Sequence, residues 1–328
     1  MKKGLISIIT PCFNTGVYVN RLLDSVLKQN YKNVEMFVVD DGSTDNTKQI
    51  ISDYKHKFFS KGYSLHYIYQ DNSGQSVAIN KALKLVNGEF LLWPDSDDFY
   101  VDTGLFTQMV SVLSTNDDKI TMVRCLPTFV DEEDLPSNNK IKNKLFKTEL
   151  FEDCLYGKDS FWFPPICYMA KMSSIDFLIP GREIFVDKNA GQNWQIMLPL
   201  LYEKKCVTIN NYGVHILERK NSHSRGFFSG YDREIQKLCV YEETILSTLS
   251  RMNDIDYSAM CFYQSEIKNQ YLRKKLFVAL KYKKNNDFNS IFNEIPVDRI
   301  SLLDKLMKLL IHFPCGYIMY RLLSKILM

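Results

Sequence analysis

The chain has 328 residues, 41 Lys and Arg against 38 Asp and Glu, and is 45% hydrophobic, 13% aromatic and 24% charged. Those proportions exclude disordered, collagen-like and low-complexity classes, and the length suits two domains of ~100–200 residues or one large α/β domain with an appendage. A net charge of only +3 speaks against a nucleic-acid binder wrapped by phosphate contacts.

From the N-terminus, Leu5–Ile9 is an apolar run of strand length that ends at Thr10-Pro11, too short for the core of a signal peptide. Leu22, Leu23, Val26 and Leu27 then recur at helical spacing, and Met36–Val39 gives a second buried strand. A third strand is expected at Leu65–Tyr69, a helix through Val77, Ala78, Leu83 and Val86, and a fourth strand at Phe90–Trp93. This β-α-β-α-β order requires right-handed crossovers and an α/β fold with a mostly parallel sheet flanked by helices. Ligands of such sheets bind beyond the carboxyl ends of the strands. The polar clusters fall at those ends: Thr10–Asn14, Asp40–Ser43, Asp71–Gly74 and Asp95–Asp98. Neither GxGxxG nor GxxxxGK[ST] follows the first strand, which removes the main support for a dinucleotide or P-loop site.

Beyond another apolar run at Ile120–Arg124, the polar stretch Asp131–Lys144 reads as a surface excursion. Phe161-Trp162-Phe163-Pro164-Pro165 is either a packed wall or a binding lip, and from about Asp232 the sequence is helical. The expected organisation is a domain over 1–230, with a donor half at about 1–100 and an acceptor half at about 101–230, followed by a helical C-terminal extension over 231–328. Eight scattered cysteines without a CxxC pair fit reduced thiols in a cytosolic protein rather than a zinc module or disulfide scaffold. The uncharged stretch Leu309–Tyr320 is shorter than the ~20 apolar residues of a spanning helix and contains Pro314.

Three carboxylates within Asp95-Ser96-Asp97-Asp98 repel one another unless a cation compensates. Hard oxygen ligands suit Mg²⁺ or Mn²⁺, held by one or two carboxylates plus substrate phosphate oxygens. Asp95 and Asp97, two apart, point the same way in extended backbone; the alternative is a solvated acidic turn. Asp40 or Asp41 can accept hydrogen bonds from a base or a ribose, while Gly42 permits the turn, or either can serve the opening of the next helix.

Taken in order, Ser-Ile-Ile-Thr-Pro-Cys-Phe-Asn at 7–14, Val-Val-Asp-Asp-Gly-Ser-Thr-Asp at 38–45, Asn72-Ser73-Gly74-Gln75-Ser76 with Asn80, and Trp93-Pro94-Asp95-Ser96-Asp97-Asp98 resemble the family 2 glycosyltransferases of GT-A fold. The resemblance continues more weakly through Gly191-Gln192-Asn193-Trp194-Gln195 and Arg219–Arg225. It implies an inverting transferase using a nucleotide-diphospho-sugar, most readily a UDP-hexose, and a glycan or lipid-linked saccharide as acceptor. Thr10, Phe13, Asp40, Asp41, Asn72, Gln75, Asp95 and Ser96 would then lie about the donor, and Asp95 and Asp97 would form the metal motif. Read from its own setting in the polar stretch Lys220–Arg225, where no core needs it, His223 supplies a third metal ligand or a diphosphate contact; the alternative is a structural histidine.

One departure bears on mechanism. Many members carry an acidic pair before the acceptor-site Trp, matched here by Trp194, and the Asp of that pair takes the acceptor's proton. Gln192 and Asn193 stand in those places, and an amide cannot take a proton at neutral pH. Asp187, six residues upstream of Asn193, is the nearest replacement and Glu183 the next. The rival readings are a catalytically silent nucleotide-sugar or glycan-binding protein and a sugar-1-phosphate nucleotidyltransferase, which would favour a Gly-rich basic loop after the first strand.

The run Ile267–Asn286 holds seven bases and no acid, and beyond it Leu306, Leu309, Leu310, Phe313, Tyr317, Ile318 and Leu322 mix with Lys308, Arg321 and Lys325. That pattern suits peripheral contact with an anionic bilayer, on the inner face of the plasma membrane for a cytoplasmic protein. The alternative is a docked helix beside a solvated basic face.

Overall fold

The computed structural model describes residues 1–137, 147–158, 161–187, 190–219 and 230–327, with side chains to 323. The first four strands are β1 (Lys2–Cys12), β2 (Val34–Asp41), β3 (Ser64–Gln70) and β4 (Gly88–Leu92), linked by helices α1 (Val19–Leu27), α2 (Thr47–Lys61) and α3 (Gln75–Leu83). They pair in parallel in the order β3-β2-β1-β4. Ile6, Ile8 and Ile9 of β1 and Met36, Val38 and Val39 of β2 are fully buried, which is why these strands read as unbroken apolar runs. Helix α1 buries Val19, Leu22, Leu23 and Val26, one stripe at i, i+3, i+4 and i+7. Each such side chain contributes about 1.5–3 kcal/mol by leaving water.

Polar groups inside the sheet occur where they are paired. Ser7 Oγ donates to Glu35 Oε1 at 2.6 Å, the Asn87 N–H donates to the same oxygen at 2.7 Å, and the Gly88 N–H donates to Ser7 Oγ at 2.8 Å, locking β1, β2 and β4 in register.

The chain continues through β5 (Phe99–Tyr100), α4 (Leu105–Leu113), β6 (Ile120–Arg124), β7 (Pro127–Val130), α5 (Phe151–Tyr156), β8 (Tyr168–Lys171), α6 (Met172–Leu178), α7 (Gln192–Leu201), β9 (Lys205–Thr208) and β10 (Val214–Leu217). The main sheet extends to seven strands in the order β3-β2-β1-β4-β8-β6-β9, in which β8 alone is antiparallel to its neighbours. A small second sheet has the order β5-β10-β7. The aromatic run is a packed wall at Phe161 and Trp162, both buried, with the fully buried Arg124 guanidinium 3.5 Å from the Trp162 ring centroid.

The chain divides into two compact units, one of residues 1–219 with 247–255 and one of residues 220–246 with 256–328. Described helices of the second unit are α8 (Tyr231–Arg251), whose last turn belongs to the first unit, α9 (Tyr257–Lys281), α10 (Asn285–Asn293), α11 (Leu302–Leu310) and α12 (Gly316–Leu327). Leu276, Leu280, Phe288, Phe292, Met307, Leu310 and Ile311 form its core, with Leu306 and Tyr317 partly buried against it. Those inward residues leave Leu302, Leu309, Phe313, Ile318, Met319 and Leu322 exposed.

The acid-free run does not form a continuous basic face. Arg273 pairs with Asp304 at 3.1 Å, Lys275 with Glu242 at 2.6 Å and Lys281 with Glu234 at 2.6 Å, acids that lie 31 to 47 residues away in sequence. No described helix is long and apolar enough to cross a membrane. All eight cysteines are free thiols: Cys12, Cys125, Cys154, Cys167 and Cys206 are buried in the first unit, and Cys239, Cys261 and Cys315 are exposed in the second.

Candidate active site

The carboxyl ends of β1 and β2 are stitched together by short polar side chains. Asn14, at a left-handed φ of 50°, donates its N–H to Ser43 Oγ at 2.9 Å and accepts the Thr44 N–H on Oδ1 at 2.8 Å. Gly42 has φ +83°, and a Cβ there would stand 2.9 Å from the Asn72 nitrogen, so both the turn and the approach of the next loop require glycine. Thr10 is fully buried, and its hydroxyl has no partner among the described residues, whereas Phe13 is 40% exposed. Asn72 is exposed beside Gly42.

The two carboxylates closing β2 do different work. Asp41 accepts from Gln70 Nε2 and the Ser73 N–H on Oδ1, both at 2.8 Å, and from the Gly74 N–H on Oδ2 at 2.9 Å. It thereby fixes the loop that opens α3. Asp40 accepts the Ser43 N–H at 2.8 Å and the Tyr67 hydroxyl at 2.7 Å. Tyr67 went unnoticed in the sequence; the β2–β3 register, with Val38 opposite Tyr67, is the signal that locates it.

Beyond β4 the acidic turn gathers three elements. Asp95 Oδ1 accepts Gln75 Nε2 from the start of α3 at 3.0 Å and Gln192 Nε2 from the start of α7 at 3.2 Å. Burial, and then the charge of Asp97, push the Asp95 carboxyl up to about 7. Asp97 Oδ2 lies 2.7 Å from Arg219 Nη2. Asp98 accepts the Leu217 N–H at 2.9 Å, which ties β10 to this turn, and burial followed by the charges of Asp97 and Asp95 raises it well above the carboxylate range. Ser96, buried, and Asp97 form a turn rather than extended backbone, contrary to the expectation from the spacing of Asp95 and Asp97; a chain leaving the end of a strand curls wherever side chains such as Asp98 can anchor it.

Asp187 is half-buried. Its carbonyl accepts Ser76 Oγ and the Ala190 N–H, each at 3.1 Å, so its backbone is held by the residue next to Gln75, the donor to Asp95. Asn80 fixes the preceding segment by exchanging hydrogen bonds with the backbone of Ile184 at 2.8 and 2.9 Å. Glu183, the second candidate base, is instead an exposed ion pair with Lys84 at 3.2 Å. Gln192 Oε1 and Asn193 Oδ1 are buried without a partner among the described residues. Trp194 donates Nε1–H to the Cys154 carbonyl at 3.1 Å, and its ring packs edge-on against Phe163 at 5.0 Å.

His223 lies outside the described residues, as do 220–222 and 224–225. Among the described residues no group of three or more His, Cys, Asp or Glu side chains is disposed to hold a metal. Asp95 and Asp97 nonetheless fit a hard divalent cation. They are crowded carboxylates, the first with its proton affinity raised by burial and then by the charge of the second, and such a cation takes one or two of these and completes its shell with phosphate oxygens and water.

The profile of Glycosyl transferase family 2 matches residues 7–175. An uncharacterized glycosyltransferase of Rickettsia typhi is 35% identical over 129 residues, 39% of this chain and 38% of that protein. The putative teichuronic acid biosynthesis glycosyltransferase TuaG of Bacillus subtilis is 41% identical over 97 residues, 29% of this chain and 37% of that protein. The chain therefore spans well under two thirds of the curated relatives it matches. Among solved structures, S. aureus TarS 1–349 in complex with UDP-GlcNAc superposes with a TM-score of 0.65 at 17% identity, covering 96% of this chain and 89% of that one. Mannosyltransferase PcManGT from Pyrobaculum calidifontis, in complex with GDP-Man and Mn²⁺, gives 0.53 at 13% identity, covering 98% and 87%. At those identities the likeness establishes the GT-A fold.

Proposed function

The chain belongs to glycosyl transferase family 2, and from that premise we propose that it moves a hexose-type sugar from a nucleotide diphosphate to an acceptor hydroxyl with inversion at the anomeric carbon. The observation that carries the reading is the meeting of α3, the Asp95–Asp98 turn and α7 at one carboxylate, Asp95, held between Gln75 and Gln192. That arrangement sits beyond the carboxyl end of β4, where a parallel sheet opens to ligands.

On this reading Asp40 and the exposed ring of Phe13 receive the nucleoside while Asp41 keeps the Ser73-Gly74 loop in place. Asp95 and Asp97 would hold Mg²⁺ or Mn²⁺, which supplies neutralisation of the leaving diphosphate. Asp187 takes the acceptor proton as the hydroxyl oxygen attacks from the face opposite the leaving group, and one displacement inverts the centre. Trp194, held by Cys154 and Phe163, lines the acceptor side. UDP is the first choice of nucleotide because the neighbour with the higher TM-score is TarS bound to UDP-GlcNAc, and PcManGT bound to GDP-Man and Mn²⁺ supports the metal.

The acceptor we favour is a cell-surface glycan or lipid-linked saccharide at the cytoplasmic face of an anionic membrane. On α11, α12 and the turn between them, Leu302, Leu309, Phe313, Ile318, Met319 and Leu322 are exposed together with Lys305, Lys308 and Arg321, while Asp304, an acid of the same stretch, is buried against Arg273. An apolar stripe fringed by bases matches the interface of anionic lipids.

The deciding experiment offers UDP-glucose, UDP-galactose, UDP-N-acetylglucosamine and GDP-mannose with Mn²⁺, and follows thermal shift and slow hydrolysis of donor to free sugar. A shift and hydrolysis with one donor is expected; no response to any of the four would overturn the proposal. The amides Gln192 and Asn193 favour one second reading, a silent binding protein, which would give the shift without hydrolysis.

A further inference from the structure

Arg219 stands two residues beyond β10, a strand whose end is anchored when Leu217 donates its N–H to Asp98. That anchor delivers the guanidinium to Asp97, with Nη2 2.7 Å from Oδ2. The other side of the guanidinium faces the Tyr18 ring, 5.0 Å from its centroid, at the N-cap of α1. The pair is largely withdrawn from water, with side-chain exposures of 24% and 16%, and the arginine's charge also reaches Asp95 and Asp98. Three crowded carboxylates thus share one cation supplied by the chain itself.

We propose that Arg219 is an internal counter-ion that keeps the divalent cation off Asp97 until the donor's diphosphate arrives, so that the site accepts the metal–nucleotide complex and rejects the free metal. The inference rests on Asp95 and Asp97 being the cation ligands. A guanidinium hydrogen-bonded to Asp97 and a dication bound to the same carboxylate repel each other at close range in a site of low effective dielectric. Free metal must therefore break the ion pair and leave a partly buried arginine without an anion, which is unfavourable. A diphosphate changes the balance, because its oxygens offer the guanidinium a bidentate partner as the carboxylate is surrendered. After transfer the departing nucleotide removes both charges together, and Arg219 returns to Asp97, which favours product release over retention of the bare metal.

The test measures Mn²⁺ binding by electron paramagnetic resonance of the free ion, on the full chain, with and without UDP. The proteins are wild type, Arg219→Met, Arg219→Gln and Asp97→Asn. Without nucleotide, Arg219→Met should bind Mn²⁺ about tenfold tighter or more, the scale of removing one close charge from a poorly solvated pair. With UDP present the gain should vanish or reverse, and Asp97→Asn should abolish the metal-dependent part in either case. Thermal unfolding in EDTA should show Arg219→Met less stable than wild type, with Mn²⁺ restoring the difference. Arg219→Gln, which keeps a hydrogen bond to Asp97 without the charge, gives the same comparison should the methionine variant fold poorly. If neither variant binds free Mn²⁺ more tightly while wild type binds it normally with UDP, the counter-ion role is refuted and the metal site stands. If no protein binds Mn²⁺ even with UDP, the metal assignment falls and this inference falls with it.

Discussion

Replacing Asp41 by Asn should unfold this protein far more readily than replacing its neighbour Asp40 in the same way, although both carboxylates close β2 and both are buried. Asp41 accepts three hydrogen bonds, two of them from the backbone of Ser73 and Gly74. An asparagine has one acceptor oxygen. If that oxygen keeps the bonds from Gln70 and Ser73, its amide NH₂ confronts the Gly74 N–H; if it turns to Gly74, the Ser73 N–H is stranded. Losing one charge-assisted bond costs about 1.5–3 kcal/mol and stranding a buried donor about 1–3 kcal/mol, so the substitution should cost roughly 3–5 kcal/mol. Asp40 accepts only the Ser43 N–H and the Tyr67 hydroxyl. Asparagine there keeps the first bond, and the tyrosine hydroxyl rotates to accept from the new NH₂, so the cost should stay within about 1 kcal/mol. Urea unfolding of both variants reads the difference, and UDP titration of Asp40→Asn should show weakened binding in a protein that is still folded. Equal stabilities for the two variants would refute the division of labour between them.

Three further outcomes are expected. Asp187→Asn should lower turnover by about 10²–10⁴-fold with UDP binding unchanged, and a near-normal rate would remove Asp187 as the base. Asp95 has a folded pKa of about 7, above the value of 3.8 for a free carboxyl, so its contribution to the metal-free protein is full below about pH 4 and is lost as pH rises through 7. Stability in EDTA should accordingly fall by up to about 1.4 kcal/mol per pH unit across that window, less steeply in Asp95→Asn, and Mn²⁺ affinity should rise over the same range; a flat profile in wild type would contradict the assignment. In liposome co-sedimentation, full-length protein should bind anionic vesicles with a component that survives high salt, and serine at Leu309, Ile318 and Leu322, exposed positions outside the core of the second unit, should remove it. Unchanged sedimentation of that variant would make α12 an ordinary surface helix.

What could be read from the chain follows from how locally each feature is determined. β1, β2 and β4 were legible because a strand buried on both faces is an unbroken apolar run, whereas β3, at the sheet edge with most of its residues exposed or half-buried, shows through its aromatic and branched residues. β5, β7, β8 and β10 have two to four residues each, too short to leave a period, yet β10 carries Leu217 to Asp98 and leads to Arg219. The acidic turn was visible as a cluster of charge, but its backbone was not, since the turn is set by an amide 119 residues away. Gln192 stood out as an amide in an acid's place; that it donates to Asp95 depends on α7 meeting the end of β4, which spacing along the chain does not encode. The same holds for the basic run, where acids on α8 and α11 consume Lys275, Lys281 and Arg273.

The partition of the cysteines gives the molecule a built-in chemical clock. Five thiols are sealed in the first unit and three lie at the surface of the second, so a thiol reagent modifies Cys239, Cys261 and Cys315 at once and the other five only when their unit opens. Mass spectra taken along a denaturant series would then separate local opening from global unfolding without any introduced label. A population carrying five further adducts in a single step would mean that the sheet opens as one cooperative body, whereas a ladder of intermediate masses would mean that its edge at β9, where Cys206 sits, comes away before its centre, where Cys12 sits.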